Sequence, residues 1–180
     1  GIMLGVMSEM KEQTMSETIQ NDMDPFRYMV RRFIAIDSPN LIENSSPVHA
    51  RILLEEMFAN AKTSAYVYCG CISSKVWGGD ELADAVRTAI SRGVDVRFIV
   101  QHPENIPSDS VVAAVLRQSG ADRIHTSPKF AQLGSHFAVF DEKMYRFERD
   151  DGDKKAIACV NAPDTAKLLH GLAQTMLKAA

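Results

Sequence analysis

The sequence lacks any apolar run near the roughly 20 residues that a membrane-spanning helix needs. It also lacks the charged start, short apolar segment and cleavage site of a secretory signal. Cysteine is scarce, with three residues in 180, an odd number without the density of a disulfide scaffold. These absences argue against a membrane-spanning or disulfide-stapled secreted protein, and they predict a cytoplasmic protein with reduced thiols.

Strong charge of either sign is missing as well. The net charge is −3 at pH 7, which argues against a strongly electrostatic nucleic-acid binder but leaves room for a local basic patch. Cys69 and Cys71 lie two apart, on one face of a predicted strand. No second pair of Cys or His residues has metal-ligand spacing, so we predict small buried thiols and expect no metal and no cofactor.

The length and hydrophobic content of the chain predict one folded domain. Hydrophobic residues make up 46% of the chain, enough for one good core and too little for two. Residues 1–24 are rich in methionine and polar residues with weak periodicity, and we expect a flexible N-terminal arm there. Residues 25–180 alternate helical and strand patterns, which predicts an α/β domain with a mixed β-sheet flanked by helices.

The first half of that domain contains a strand, a helix and a second strand. Ala65–Ser73 is rich in residues that favour sheets, and Val94–Val100 alternates apolar and polar residues. Between them a helix starts at Asp80 and ends before Gly93. This spacing predicts a right-handed βαβ unit with parallel strands.

The sequence also predicts the secondary structure of the segments on either side of the βαβ unit. Pro25–Ile36, with Asp24 as N-cap, predicts a short helix, and Asp37–Ser46 reads as a loop. Ser46 begins a further helix, and Pro163–Leu177 forms the last one.

A hairpin dominates the second half. His136–Phe140 is almost continuously apolar, which is typical of a strand buried on both faces. Asp141 opens an Asp-Glu-Lys turn, and Met144–Phe147 alternates as the returning strand. A histidine and an aspartate therefore stand at opposite ends of one core strand.

These segments together resemble a repeat of the phospholipase D superfamily. The resembling residues are a helix ending in Ala-Asn-Ala-Lys at 59–62, a strand, and Asp80–Val100 with its Arg-Gly-Val-Asp-Val. The resemblance covers Val48 to Met176 and implies a single repeat. If Asp141 takes the place of the aspartate in the family signature HxKxxxxD, His136 falls on the lysine and Gly134 on the histidine.

The resemblance therefore implies a degenerate phosphate site. In the family the signature histidine attacks phosphorus and the lysine neutralises phosphate charge, and glycine does neither. The Gly-Ser that often follows the signature would fall near Glu148 and Arg149. We expect a non-catalytic binding or regulatory module, which the resemblance implies is a homodimer binding nucleic acid or another phosphate-bearing molecule.

Two alternatives remain open for the function. His136 shares a strand face with position 134, so its ring would enter the same cleft as a displaced nucleophile of an active phosphodiesterase or nuclease, with Asp141 as a further catalytic candidate. The competing interpretations are a structural histidine at a strand end and a turn-stabilising Asp141. The second alternative for the whole chain is a protein–protein interaction scaffold.

Three further residues are candidates for ligand binding. Arg146 shares a strand face with Glu148 and pairs with a charge across the strand, or else it forms an anion site with His136 that His125 joins. Trp77 stands near the end of a strand, where α/β sheets place ligands. It is either an exposed recognition residue or a lid packed on the core.

Overall fold

A mixed β-sheet forms the centre of the computed structural model, which describes residue 3 and residues 23–149 and 155–180. Within these residues the sheet has seven strands in the order β1-β7-β6-β5-β2-β3-β4. The strands are β1 Ile42–Asn44, β2 Ser64–Cys69, β3 Asp95–Val100, β4 Ile124–His125, β5 His136–Phe140, β6 Met144–Glu148 and β7 Ala156–Cys159. The predicted α/β class with a mixed sheet is confirmed. Almost all of the predicted arm, residues 1–24, lies outside the described residues.

Helices cover both faces of the sheet. They are α1 Pro25–Ala35, α2 Pro47–Asn60, α3 Ser74–Trp77, α4 Asp80–Ser91, α5 Val111–Gln118 and α6 Pro163–Lys178. The larger apolar core lies between one sheet face and helices α1 to α5. The smaller core lies between the other face and α6. No helix of the described residues has the length and apolar character to cross a membrane.

Two of the predicted helix starts are capped by side chains. The Asp24 carboxylate accepts hydrogen bonds from the backbone N–H groups of Phe26 at 2.8 Å and Arg27 at 3.3 Å. The Ser46 hydroxyl accepts one from Val48 N–H at 3.2 Å. A proline follows each cap at the first helical position, where its missing N–H costs nothing. Both predicted starts are confirmed.

The βαβ unit and the hairpin also form as predicted. Strands β2 and β3 are parallel, with α4 between them in the chain. Strands β5 and β6 are antiparallel, and their register places His136 opposite Glu148 and Ala138 opposite Arg146. The turn between them contains Asp141 and Glu142 at φ values of 57° and 51°. Because residues two apart on a strand share a face, His136 and Arg146 belong to the same side of the sheet.

The segment Asp37–Ser46, predicted as a loop, contains a strand. Ile42–Asn44 forms β1, which pairs antiparallel with β7 and places Ile42 opposite Ala158. Only three residues take part, and their partner comes from the far end of the chain. A pairing of this kind leaves no local period in the sequence, so the prediction was wrong there.

The strand predicted over Ala65–Ser73 ends earlier, at Cys69. A turn follows, in which Ile72 has a φ of 54°, an unusual value for a β-branched side chain. The one-turn helix α3 comes next and was not predicted. Cys71 therefore lies in the turn, and the prediction that it shares a strand face with Cys69 was wrong.

Candidate functional site

The end of β5 that carries His136 opens on a cavity of about 300 Å³. Three parts of the chain line it: the start of α2, the turn after β2 with α3, and strands β5 and β6. We call it the Arg146 cavity. His136, Arg146 and Trp77, all singled out from the sequence, lie on its wall.

Arg146 projects into this cavity from the middle of the sheet. Its neighbours across β5 and β7 are Ala138 and Ala158, whose small side chains leave room for the long one. The Arg146 side chain is 11% exposed, and Glu148 beside it is 24% exposed. Burial lowers the pKa of the Arg146 guanidinium, and the Glu148 carboxylate acts in the opposite direction. Arginine stays protonated even when burial lowers its pKa, so the cavity wall holds a permanent positive charge.

The hydrogen bonding of Arg146 is incomplete. Its Nη1 donates to Glu148 Oε2 at 3.4 Å, longer than the usual distance for a charge-assisted hydrogen bond. Its Nε is buried and finds no acceptor among the described residues. An unmade hydrogen bond of this kind costs about 1–3 kcal/mol. A guanidinium held in this way is suited to binding an oxyanion.

His136 is fixed by Gln101, the residue that follows β3. The Gln101 amide nitrogen donates to the carbonyl oxygens of Ala131 at 3.0 Å and Leu133 at 2.6 Å, so its Oε1 faces His136 as an acceptor. The distance from Oε1 to His136 Nε2 is 2.7 Å. His136 Nε2 therefore carries a hydrogen and donates it.

The sequence analysis missed the role of Gln101. Its pairing with His136 spans 35 residues, and a glutamine after a strand has no distinctive spacing. The available signal is its position, because the carboxyl ends of parallel strands are where α/β sheets place ligands.

Trp77 closes one side of the cavity and is 7% exposed. Its ring meets Phe98 edge-on at 4.9 Å between centroids and Phe58 at 6.4 Å. This corresponds to the lid packed on the core, and the exposed recognition residue was the wrong alternative. The next residue, Gly78, has to be glycine, because a Cβ there would lie 2.2 Å from the Ser74 carbonyl oxygen.

His125 does not join this group. It lies on the short strand β4, where its Nε2 is 3.5 Å from Nη1 of Arg97. It is not among the residues that line the Arg146 cavity. The sequence grouped His125 with His136 because it lies on the short strand that comes before β5 in the chain, but the strand order puts β2 and β3 between β4 and β5.

Asp141 lies at the other end of β5, away from the cavity. Its carboxylate accepts hydrogen bonds from the backbone N–H groups of Lys62 at 2.8 Å, Thr63 at 2.7 Å and Ser64 at 3.1 Å. The Thr63 hydroxyl adds another at 3.0 Å. Asp141 therefore ties the hairpin to the connection between α2 and β2. These contacts favour the interpretation of Asp141 as a turn-stabilising residue over that of a catalytic one.

The two neighbouring cysteines differ in environment. Cys69 is buried, and burial raises the pKa of its thiol to about 12. Cys71 is half-buried and lines the Arg146 cavity. Across residues 23–149 and 155–180, no three His, Cys, Asp or Glu side chains are grouped closely enough to hold a metal ion.

Comparison with known proteins agrees with this architecture at the level of the fold. No model of a protein family matches the sequence, and no curated protein matches it. Among solved structures, the phospholipase D family member Nuc from Salmonella typhimurium superposes with a TM-score of 0.58 at 19% identity, covering 79% of this chain and 96% of Nuc. NucT from Helicobacter pylori gives 0.54 at 12%, covering 78% and 98%.

A third similar structure is TrmBL2, an archaeal chromatin protein described as showing a novel mode of DNA binding. It superposes with a TM-score of 0.56 at 8% identity, covering 98% of this chain and 66% of TrmBL2. The chain thus has the phospholipase D-like fold, as the sequence resemblance predicted. At these identities the likeness establishes the fold alone.

Proposed function

We propose that this chain is a non-catalytic binding module that holds nucleic acid, or another phosphate-bearing molecule, in the Arg146 cavity. The observation that carries the proposal is the buried guanidinium of Arg146, with an Nε that finds no acceptor among the described residues. An incoming phosphate oxygen would supply that acceptor and a compensating charge. The DNA binding described for TrmBL2, a protein of similar fold, supports nucleic acid as the ligand class.

The state of His136 supports binding over hydrolysis. Nε2 of His136 carries a hydrogen that Gln101 accepts at 2.7 Å, so this ring nitrogen is engaged and hydrolysis would have to use Nδ1 as the nucleophile. Gln101 is held in this orientation by two backbone carbonyl groups. At the position where the resemblance puts the signature nucleophile, the sequence has Gly134. Both features favour a phosphate site that has kept its cation and lost its nucleophile.

The test is a binding titration with fluorescently labelled single- and double-stranded DNA and RNA, with cleavage followed on the same samples. We compare wild type with Arg146→Met and, as a matched control, Arg87→Met, which removes an exposed arginine paired with Asp84 on α4. We expect Arg146→Met to weaken binding about tenfold or more, the usual effect of losing one charge-assisted hydrogen bond. Arg87→Met should bind as wild type does, and no sample should be cleaved.

Other outcomes would favour the alternatives. Cleavage that His136→Ala abolishes, at an unchanged melting temperature, would establish an active phosphodiesterase with His136 as nucleophile. Absence of binding to every oligonucleotide and to inorganic phosphate would contradict the proposal and favour a protein–protein scaffold. Binding weakened equally by both arginine variants would indicate general charge attraction and no built site.

We also propose that the module acts as a homodimer in the cytoplasm. The resemblance to single-repeat members of the family supports the dimer, because a single repeat supplies only half of a two-repeat cleft; Nuc and NucT, each covered over nearly its whole length, are similar to this chain as single units. The scarce cysteines support the compartment. Sedimentation at several protein concentrations tests the dimer, and a monomer at all of them would contradict it.

A further inference from the structure

We propose that the Arg146 cavity recognises the end of a nucleic-acid strand through its terminal phosphate monoester, and does not bind the continuous backbone. This inference rests on the proposed function and names the part of the ligand that enters. It follows from the depth of the guanidinium, from the charges on the cavity wall and from the position of Glu148.

The depth of Arg146 favours a strand end. Its side chain is 11% exposed, its strand neighbours are Ala138 and Ala158, and Ala50 and Leu54 of α2 line the same cavity. The cavity that leads to it has a volume of about 300 Å³, at the lower limit of small-molecule sites. A continuous strand follows an open groove, with its phosphates on the surface. Only a terminal group reaches a cation held this deeply.

The charges on the wall favour a single phosphate. Proteins that bind a run of single strand do so through a positively charged groove that follows several phosphates. The charged side chains that line the Arg146 cavity are Lys75, Arg146 and Glu148. Once Glu148 is displaced, the two cations match the charge of one phosphate monoester and not that of a series of phosphates.

Glu148 explains why the preferred group is a monoester. An anion that takes Nη1 of Arg146 in addition to Nε has to displace Glu148, which approaches Nη1 at 3.4 Å. A backbone diester carries one negative charge, as Glu148 does, so the exchange gains little. A terminal monoester carries about −1.5 to −2 at pH 7 and outcompetes the carboxylate. Glu148 thus acts as a specificity residue that excludes internal phosphates.

The test uses the wild-type chain and a series of single-stranded DNA 12-mers of one sequence. They carry a 5′ phosphate, a 3′ phosphate or hydroxyl groups at both ends, and a circular strand has no end. We expect a phosphorylated end to bind about tenfold tighter than the hydroxyl-ended and circular strands. The two phosphorylated strands distinguish the 5′ from the 3′ end. Glu148→Gln should bind the circular strand more tightly and so reduce the preference, whereas Asp84→Asn, an exposed control on α4, should leave it unchanged.

The outcomes separate this inference from the proposed function. Equal binding of circular and phosphorylated strands, both weakened by Arg146→Met, would overturn end recognition and leave the nucleic-acid site standing. An unchanged preference in Glu148→Gln would overturn the role of Glu148 as the excluding residue. Absence of binding to any strand would overturn this inference, and absence of binding to inorganic phosphate as well would overturn the proposed function. The comparison among strands needs no variant, so misfolding of a mutant cannot obscure it.

Discussion

The two ends of strand β5 differ in how completely their polar groups are paired. At one end, Asp141 accepts four hydrogen bonds from Lys62, Thr63 and Ser64, and every contact links one chain segment to another. At the other end lies the cavity that His136 lines together with Arg146 of the neighbouring strand β6, and there Arg146 has one long contact to Glu148 and a buried Nε with no acceptor among the described residues.

The contrast separates a group that is paired within the fold from the group that we propose binds the ligand. A buried polar atom is normally satisfied because leaving it unpaired costs free energy. The Asp141 end follows this rule, and its hydrogen bonds stabilise the fold. The Arg146 end departs from this rule, because its buried Nε is unpaired among the described residues. It lies beside a cavity, and an anion bound there would offset the free energy lost. His136 and Asp141, which the sequence places alike at the two ends of one strand, thus lie in different surroundings: Asp141 in a fully paired turn, His136 on the cavity that Arg146 of β6 also lines.

The largest expected effect is on the Asp141 end. Asp141→Ala removes the acceptor of several backbone N–H groups and places alanine at a φ of 57°. We expect the free energy of unfolding to fall by about 2–4 kcal/mol, combining lost hydrogen bonds with the left-handed conformation. Urea unfolding at pH 7 measures it. Asp141→Asn tolerates this backbone and should lose less, so an equal loss in both variants would contradict this account.

The Arg146 end should respond in the opposite way. The double variant Arg146→Met/Glu148→Gln removes the buried charge together with its partner. We expect the free energy of unfolding to change by no more than about 1 kcal/mol, or to rise, because a poorly paired buried ion contributes little stability. Urea unfolding at pH 7 measures this change in stability, and the binding titration on the same variant should show that oligonucleotide binding is lost. A fall as large as that of Asp141→Ala would mean that both ends are structural and would remove the contrast.

The smallest effect concerns the two thiols at the cavity end of β2. With its pKa raised to about 12, Cys69 keeps its proton in the folded chain well above pH 9, whereas Cys71 is half-buried on the cavity wall. We expect iodoacetamide at pH 8 to modify Cys71 at least about tenfold faster than Cys69, because the thiolate is the reactive form. Bound phosphorylated oligonucleotide should slow the reaction at Cys71.

Mass spectrometry of the labelled peptides measures both rates, and Cys71→Ser is the control that assigns the signal. Because burial raises its pKa, Cys69 contributes stability that is present below the ordinary thiol pKa and is lost as the pH rises towards 12. Faster modification of Cys69 than of Cys71 would contradict the cavity geometry.

Much of the architecture could be predicted because its signals are local. The caps Asp24 and Ser46 start helices by hydrogen bonds within three residues, and the apolar run from His136 to Phe140 identifies a core strand. Strand β1 could not be predicted, since three residues become a strand only by pairing with β7. The bend after Cys69 was missed because nothing in the local sequence requires a φ of 54° at Ile72.

For this protein, the sequence by itself determined the class of the fold, the βαβ unit, the hairpin and the candidacy of His136 and Arg146, because helix caps and hydrophobic periods act over a few residues. The tertiary structure decided which candidates meet. It brought Gln101 to His136, left His125 beside Arg97, and gave Asp141 its amide partners. Strand order and burial, which depend on contacts between distant segments, decide whether a polar group is satisfied or free to bind.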